Sequence, residues 1–168
     1  MHIPVLLHEV INGLNPKPKE KVVDGTLGGA GHAMALLKAI GREGILIGFD
    51  EDEDAIVRAK KALAGIKGRV ILARSNFRNI LAVLKKHKIT GVNKILFDLG
   101  LSSYQLESSG RGFSFLRDEP LAMTFGKNKK RYLFTAREIV NEWEEKSLKE
   151  IIAHYGEEKF AGRIARAI

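Results

Sequence analysis

Hydrophobic positions change their period several times along the chain, and each change marks an element. Leu7, Val10, Ile11 and Leu14 fall at helical spacing before Asn15-Pro16-Lys17-Pro18 stops the run. Lys21 to Asp24 predicts a strand, a glycine-rich turn follows, and Ala33, Leu36, Leu37 and Ile40 form one face of a helix. Gly44 to Asp50 is almost continuously apolar, which suits a strand buried on both faces of a parallel sheet. Asp52 to Leu63 predicts a helix, acidic in its first turn and basic at Lys60 and Lys61, as the helix dipole favours. A third strand is expected at Val70 to Ala73, a helix on Phe77, Ile80, Leu81 and Leu84, and a fourth strand from Lys94 to Gly100. This alternation predicts an α/β fold with a doubly wound parallel sheet.

Past Leu101 that rhythm is lost. Residues 102–125 read as irregular and 127–131 as a basic cluster. Thr135-Ala136-Arg137-Glu138 has the form of a capping box, Leu148, Ile151, Ile152 and Tyr155 mark a helix up to Gly156, and Phe160, Ile164 and Ile168 mark a last one. Two domains are therefore expected, 1–105 and 106–168.

Composition narrows the class. The 168 residues are 45% apolar, enough for a globular core, and 28 Lys and Arg against 20 Asp and Glu give a net charge of +8, which suits a polyanion partner. The absence of cysteine excludes disulfide and thiolate chemistry. No apolar run approaches the ~20 residues of a membrane span, so a soluble, cytoplasmic protein is expected.

Candidate chemistry centres on Asp24-Gly25-Thr26-Leu27-Gly28-Gly29-Ala30-Gly31-His32. Glycines at a strand-to-helix turn let a ligand approach the backbone closely, and the first amides of the helix point outward unpaired. Asp50 follows Gly31 by nineteen residues and ends the second strand, where such folds place a carboxylate for ribose hydroxyls. It could also cap the helix that follows, and the two roles are compatible. The turn does not match the G-x-G-x-x-G fingerprint of dinucleotide binding, so a pyrophosphate ligand is disfavoured. Asp98 ends the fourth strand, as a ligand group or as the cap of its own turn.

Three runs together identify a family. The opening His2-Ile3-Pro4-Val5-Leu6-Leu7-His8-Glu9, the turn from Asp24 to His32, and Asp98-Leu99-Gly100-Leu101-Ser102-Ser103-Tyr104-Gln105-Leu106 with Arg111-Gly112-Phe113-Ser114-Phe115 closely resemble the bacterial 16S ribosomal RNA cytidine N4-methyltransferases. The resemblance extends through Tyr155 to Phe160 and Arg163 to Ile168. It implies a class I methyltransferase fold of Rossmann type, with S-adenosyl-L-methionine as cofactor and small-subunit ribosomal RNA or the 30S particle as partner. Residues 106–168 would then begin an inserted helical domain that recognises substrate.

Carried over position by position, Ala30, Gly31 and His32 contact the cofactor, Asp50 holds its ribose, Phe77 lies beside the adenine, and Asp98 and Gln105 close the end from which the methyl leaves. Gly28 belongs to the same turn, Asp24 faces the cofactor's cationic end, and Asp98 is the candidate catalytic residue. No metal is implied. Read without the resemblance, His32 is a polar helix-start residue and Phe77 a core residue. Ser102 and Ser103 could orient the amine or fix a turn. Tyr104, Phe113 and Phe115 could stack on a flipped base or pack their loop down. Lys127, Lys129, Lys130 and Arg131, with Tyr132 and Phe134, could meet RNA phosphates and bases or form a solvated loop.

The chain departs from the family at Tyr104, where a proline is usual, and at Ala122, where an aspartate is usual. Family members also run well beyond this length, so a fragment is expected, with the fourth strand left as an open, apolar edge. Besides the methyltransferase, two other functions are expected as alternatives: a non-catalytic cofactor- or RNA-binding module, and an enzyme acting on an amine of another nucleic acid.

Overall fold

The computed structural model describes residues 4–128 and 132–168. They fall into two compact units, Met1–Ser103 and Tyr104–Ile168. In the first, helix α1 (Leu7–Leu14) precedes strand β1 (Lys21–Asp24), and helix α2 (Gly31–Ile40), strand β2 (Ile45–Asp50), helix α3 (Glu53–Leu63) and strand β3 (Arg69–Arg74) follow. A short 3-10 turn (Phe77–Asn79) then leads into helix α4 (Ile80–Lys86) and strand β4 (Lys94–Leu96).

All strand pairs are parallel, in the order β3-β2-β1-β4. Alternation along the strands sends side chains to two cores. Val22 and Leu46 pack with Leu36, Leu37 and Ile40 of α2 and with Ala59 and Leu63 of α3. Val23, Ile47, Phe49 and Ile71 pack with Leu84 and with Phe77, Ile80 and Val83. Helices thus cover both faces, the doubly wound α/β arrangement that the apolar strands imply. The order reverses between β1 and β4, the point at which open α/β sheets leave a crevice beyond the strands' carboxyl ends.

Two local expectations about the sheet unit need correction. The fourth ladder stops at Leu96 rather than Gly100, because the Asp98 N–H leaves the sheet to donate to Thr26 Oγ1 at 2.7 Å. The helix expected from Phe77 opens as the 3-10 turn, with Asn76 Oδ1 accepting the Arg78 N–H at 2.9 Å.

The second unit is helical. Ser103–Glu107 forms a short helix (α5), where irregular chain was expected, and α6 (Ala136–Glu142), α7 (Glu145–Gly156) and α8 (Ala161–Ala167) follow. The capping box of α6 is complete: Glu138 N–H donates to Thr135 Oγ1, and Thr135 N–H to Glu138 Oε2 at 2.6 Å. The intervening loop is organised by a buried Arg111, whose guanidinium donates to the Phe125 carbonyl and whose own carbonyl accepts the Met123 N–H at 2.7 Å. No helix among the described residues is long and apolar enough to cross a membrane.

Candidate functional site

The turn after β1 is held from three sides. Gly25 N–H donates to the Leu96 carbonyl at 2.9 Å and Leu27 N–H to the Phe49 carbonyl at 3.0 Å, tying the turn to β4 and β2. Gly28 N–H donates to Asp50 Oδ2 at 2.9 Å. Gly28 (φ 48°) and Ala30 (φ 63°) are both left-handed, which winds the chain tightly into α2. Gly25 has no room for a side chain, since a Cβ there would meet the Phe97 ring.

Three carboxylates converge on this turn. Asp24 is 1% exposed; its Oδ1 accepts the Thr26 N–H at 3.0 Å, while its Oδ2 is buried with no hydrogen-bond partner among the described residues. Burial pushes its pKa up to about 6, against the lowering effects of the Thr26 N–H and of His32, and with Asp50 and Asp98 adding repulsion. Asp50 is also raised, chiefly by burial, although the N–H groups of Asp52 and Gly28 favour its charged form. It does not cap α3: that role is taken by Asp52, which accepts the Asp54 N–H at 3.1 Å. Asp50 instead braces the turn, accepting the Asp52 N–H on Oδ1 at 2.8 Å.

His32 is buried in the first turn of α2, with Nδ1 3.6 Å from Oδ2 of the half-exposed Asp98, an ion pair whenever the imidazole is protonated. Its Nε2 lies 3.0 Å from the Val5 carbonyl. A carbonyl can only accept, so Nε2 carries the hydrogen. Phe77 is half-buried and packs on Phe97 with ring centroids 4.9 Å apart.

The structure therefore gathers Asp24, Gly28, Ala30, Gly31, His32, Asp50 and Asp98 at the carboxyl ends of β1, β2 and β4. Gln105 is buried in α5, in the second unit. Phe113 stacks at 6.2 Å on Phe125, whereas Phe115 is 96% exposed. His2 and Ile3 of the opening motif, and Lys129, Lys130 and Arg131 of the basic cluster, lie outside the described residues. Tyr132 Oη accepts the Gly126 N–H at 2.6 Å and Phe134 packs edge-on to Trp143.

Three contributors carry no local sequence signal. Thr26 accepts from the Asp98 amide, Val5 accepts from His32, and the Pro4 ring lies against Gly31. All three lie within runs that carry the family resemblance, Thr26 in the glycine turn and Pro4 and Val5 in the opening segment, but nothing in those runs says which partner each will meet.

Comparisons with known proteins agree with the resemblance read from the motifs. The chain is 44% identical to the ribosomal RNA small subunit methyltransferase H of Brevibacillus brevis over 167 residues, 99% of this chain and 52% of the relative. It is 45% identical to the protein of the same name from Clostridium botulinum, over 99% of this chain and 53% of that one. The chain thus spans about half the length of these curated relatives. A candidate rRNA-methylase of known structure from Clostridium thermocellum superposes with a TM-score of 0.51 and 26% identity, over 60% of this chain and 54% of that one. The model of the MraW methylase family matches residues 1–168, and with the glycine turn, the strand-end aspartates and the 3-2-1-4 sheet already in place, the chain belongs to that family.

Proposed function

We propose that this chain serves the S-adenosyl-L-methionine-dependent methylation of the N4 amine of a cytidine in the decoding region of 16S ribosomal RNA. The observation that carries this reading is the convergence of Asp24, Asp50 and Asp98 on one glycine turn. Three carboxylates repel a pyrophosphate and favour a ligand carrying positive charge, such as a sulfonium with an ammonium group. The family match and the names of the curated relatives support the same chemistry.

The residues fit that cofactor. The Pro4 ring fills the space beside the Gly31 Cα and Ala30 and His32 are buried, so contact of Ala30, Gly31 and His32 with the cofactor is assigned on the family resemblance. The Asp50 oxygens, each accepting one backbone N–H, keep a lone pair for ribose hydroxyls. Phe77 supplies an apolar wall for the adenine, and Gln105 is assigned on the family resemblance alone. Asp24 has no exposed oxygen, so it acts as a fixed negative charge beneath the turn.

S-adenosyl-L-methionine, when bound, supplies an already activated methyl group. The chain's own task is alignment and proton handling. Cytosine N4 is a weak nucleophile because its lone pair is delocalised into the ring. Asp98, half-exposed at the crevice, accepts a hydrogen bond from N4–H and draws off positive charge as the new bond forms. In this reading residues 1–105 form the cofactor core, 106–168 begin the substrate-recognition domain, the partner is small-subunit ribosomal RNA or the 30S particle, and the reaction takes place in the cytoplasm.

A second reading, a module that binds without turnover, is favoured by one observation: Ile95, Phe97 and Leu99 around Asp98 are exposed, and Asp98 itself is half-exposed to water. Transfer of labelled methyl to small-subunit particles separates the two. Turnover falls by about a hundredfold or more in Asp98→Asn if Asp98 assists the amine. Unchanged turnover and cofactor affinity in that variant would end its assignment, and cofactor binding without any transfer by the parent chain would favour the module.

A further inference from the structure

The helical unit carries a concave surface of its own. Leu148 of α7 and Ala161 and Ala165 of α8 are buried where the two helices pack, and beside them lies an open groove of about 330 Å³. Its lining is Lys149, Lys159, Phe160, Gly162, Arg163 and Arg166, four cations among six residues. The Lys149 stem runs past Gly162, its Cδ and Cε 3.7 Å from the place a Cβ would take. Arg166 has Glu145 Oε1 at 3.5 Å from its Nε, in an exposed pair. Among the described residues Lys149, Lys159 and Arg163 have no carboxylate within ion-pair distance.

Phe160 gives the groove its second property. Its ring is 61% exposed, with the Arg163 guanidinium carbon 5.7 Å from the ring centroid. Unneutralised cations around an accessible aromatic face match single-stranded nucleic acid, whose phosphates meet the cations while an unstacked base lies on the ring. An acidic peptide would engage the cations and leave Phe160 unused, and a duplex keeps its bases out of reach.

We infer that the α7–α8 groove binds single-stranded RNA, with phosphates on Lys149, Lys159, Arg163 and Arg166 and a base on Phe160. The inference rests on the RNA substrate proposed above and adds where the helical unit holds it.

Fluorescence anisotropy of the full chain with a short labelled single-stranded RNA, across a salt series, tests it. The triple variant Lys149→Gln, Lys159→Gln, Arg163→Gln weakens binding about tenfold or more, and its log–log salt slope becomes shallower by roughly 0.7 for each phosphate left without its cation. Phe160→Ala weakens binding about fivefold with little change in slope, and Arg163→Lys keeps the slope. All these side chains are exposed, and far-UV circular dichroism confirms an intact fold.

The inference is overturned by a parent chain that does not bind the RNA, by variants of unchanged affinity and slope, or by a polyglutamate peptide that displaces RNA as effectively as unlabelled RNA does. Calorimetry with S-adenosyl-L-methionine on the same proteins separates this outcome from failure of the methylation reading. Loss of RNA binding in the variants of a chain that binds no cofactor upholds the groove and removes the methyltransferase. Cofactor binding and methyl transfer, with RNA affinity indifferent to the groove, do the reverse.

Discussion

His32 and Asp98 face each other across the crevice, Nδ1 3.6 Å from Oδ2, while the other nitrogen of the same imidazole lies 3.0 Å from the Val5 carbonyl. One ring thus connects the N-terminal segment, the first turn of α2 and the carboxylate that follows β4. The imidazole is 7% exposed, so these contacts also fix its orientation.

Replacing His32 with Leu keeps the apolar volume and removes both contacts. Stability should fall by about 1 kcal/mol, the usual net value of one hydrogen bond. Amide exchange at residues 5–8 should accelerate while the β1 and β2 amides stay protected. Unchanged exchange at residues 5–8 would show that α1 alone anchors the segment.

Asp24 makes stability depend on pH in the sense opposite to an ordinary paired carboxylate. Its pKa is raised from 3.8 to about 6, so the folded chain holds this proton more tightly than the unfolded chain. Its contribution is fully present below about pH 4 and is lost as the pH rises through 6, by roughly 3 kcal/mol in order of magnitude. Asp24→Asn should therefore be the more stable protein at pH 7 by about 1 kcal/mol or more. It should also bind S-adenosyl-L-methionine more weakly, because the negative charge beneath the turn is gone. In the parent chain, cofactor affinity should rise between pH 5 and 7, and this rise should be smaller in the variant, where Asp50 still titrates but Asp24 does not. Parallel calorimetric titrations of the two proteins check both statements.

Thr26→Val replaces a hydroxyl by a methyl at the hinge between the turn and β4. The Asp98 N–H, held at 2.7 Å by Thr26 Oγ1, loses its acceptor, so a loss of about 1 kcal/mol in thermal unfolding is expected. Cofactor affinity should fall about tenfold as Asp98 moves, an amount set by one hydrogen bond's worth of positioning. Thr26→Ser, which restores the hydroxyl, should recover most of that affinity. A serine variant no better than valine would mean that the methyl group of Thr26, and not its oxygen, matters.

Gly31→Ala places a Cβ into the Pro4 ring. The α2 core behind it is untouched, so global stability should change by no more than about 1–2 kcal/mol. The N-terminal segment should lift, shown by faster limited proteolysis before Leu7, and cofactor affinity should drop with it. Proteolysis at the parent rate would place the steric pressure elsewhere.

Much of the fold is legible in the chain because local exposure patterns suffice to define each element. The apolar run ending at Asp50 and the helical stripes of α2 and α3 can be buried in one way only. The end of the β4 ladder escapes a local pattern because Asp98 answers to a distant partner, a Thr26 hydroxyl 72 residues away, whereas the 3-10 opening before α4 rests on the neighbouring Asn76, a polar residue that a search for apolar stripes passes over.

Covalent order and side-chain period settle which residues stand at strand ends and beside glycines, and so marked the turn from Asp24 to His32 with Asp50 and Asp98. The family resemblance added the roles of Ala30, Gly31, His32, Phe77 and Gln105. How these residues meet depends on the packing of the sheet. The order β3-β2-β1-β4 puts the ends of β1 and β4 side by side, and that adjacency sets His32 against Asp98 and hangs the Asp98 amide on Thr26. Burial of Asp24 on the central strand likewise follows from what packs around it, and no pattern of neighbours in the chain encodes the resulting rise in its pKa.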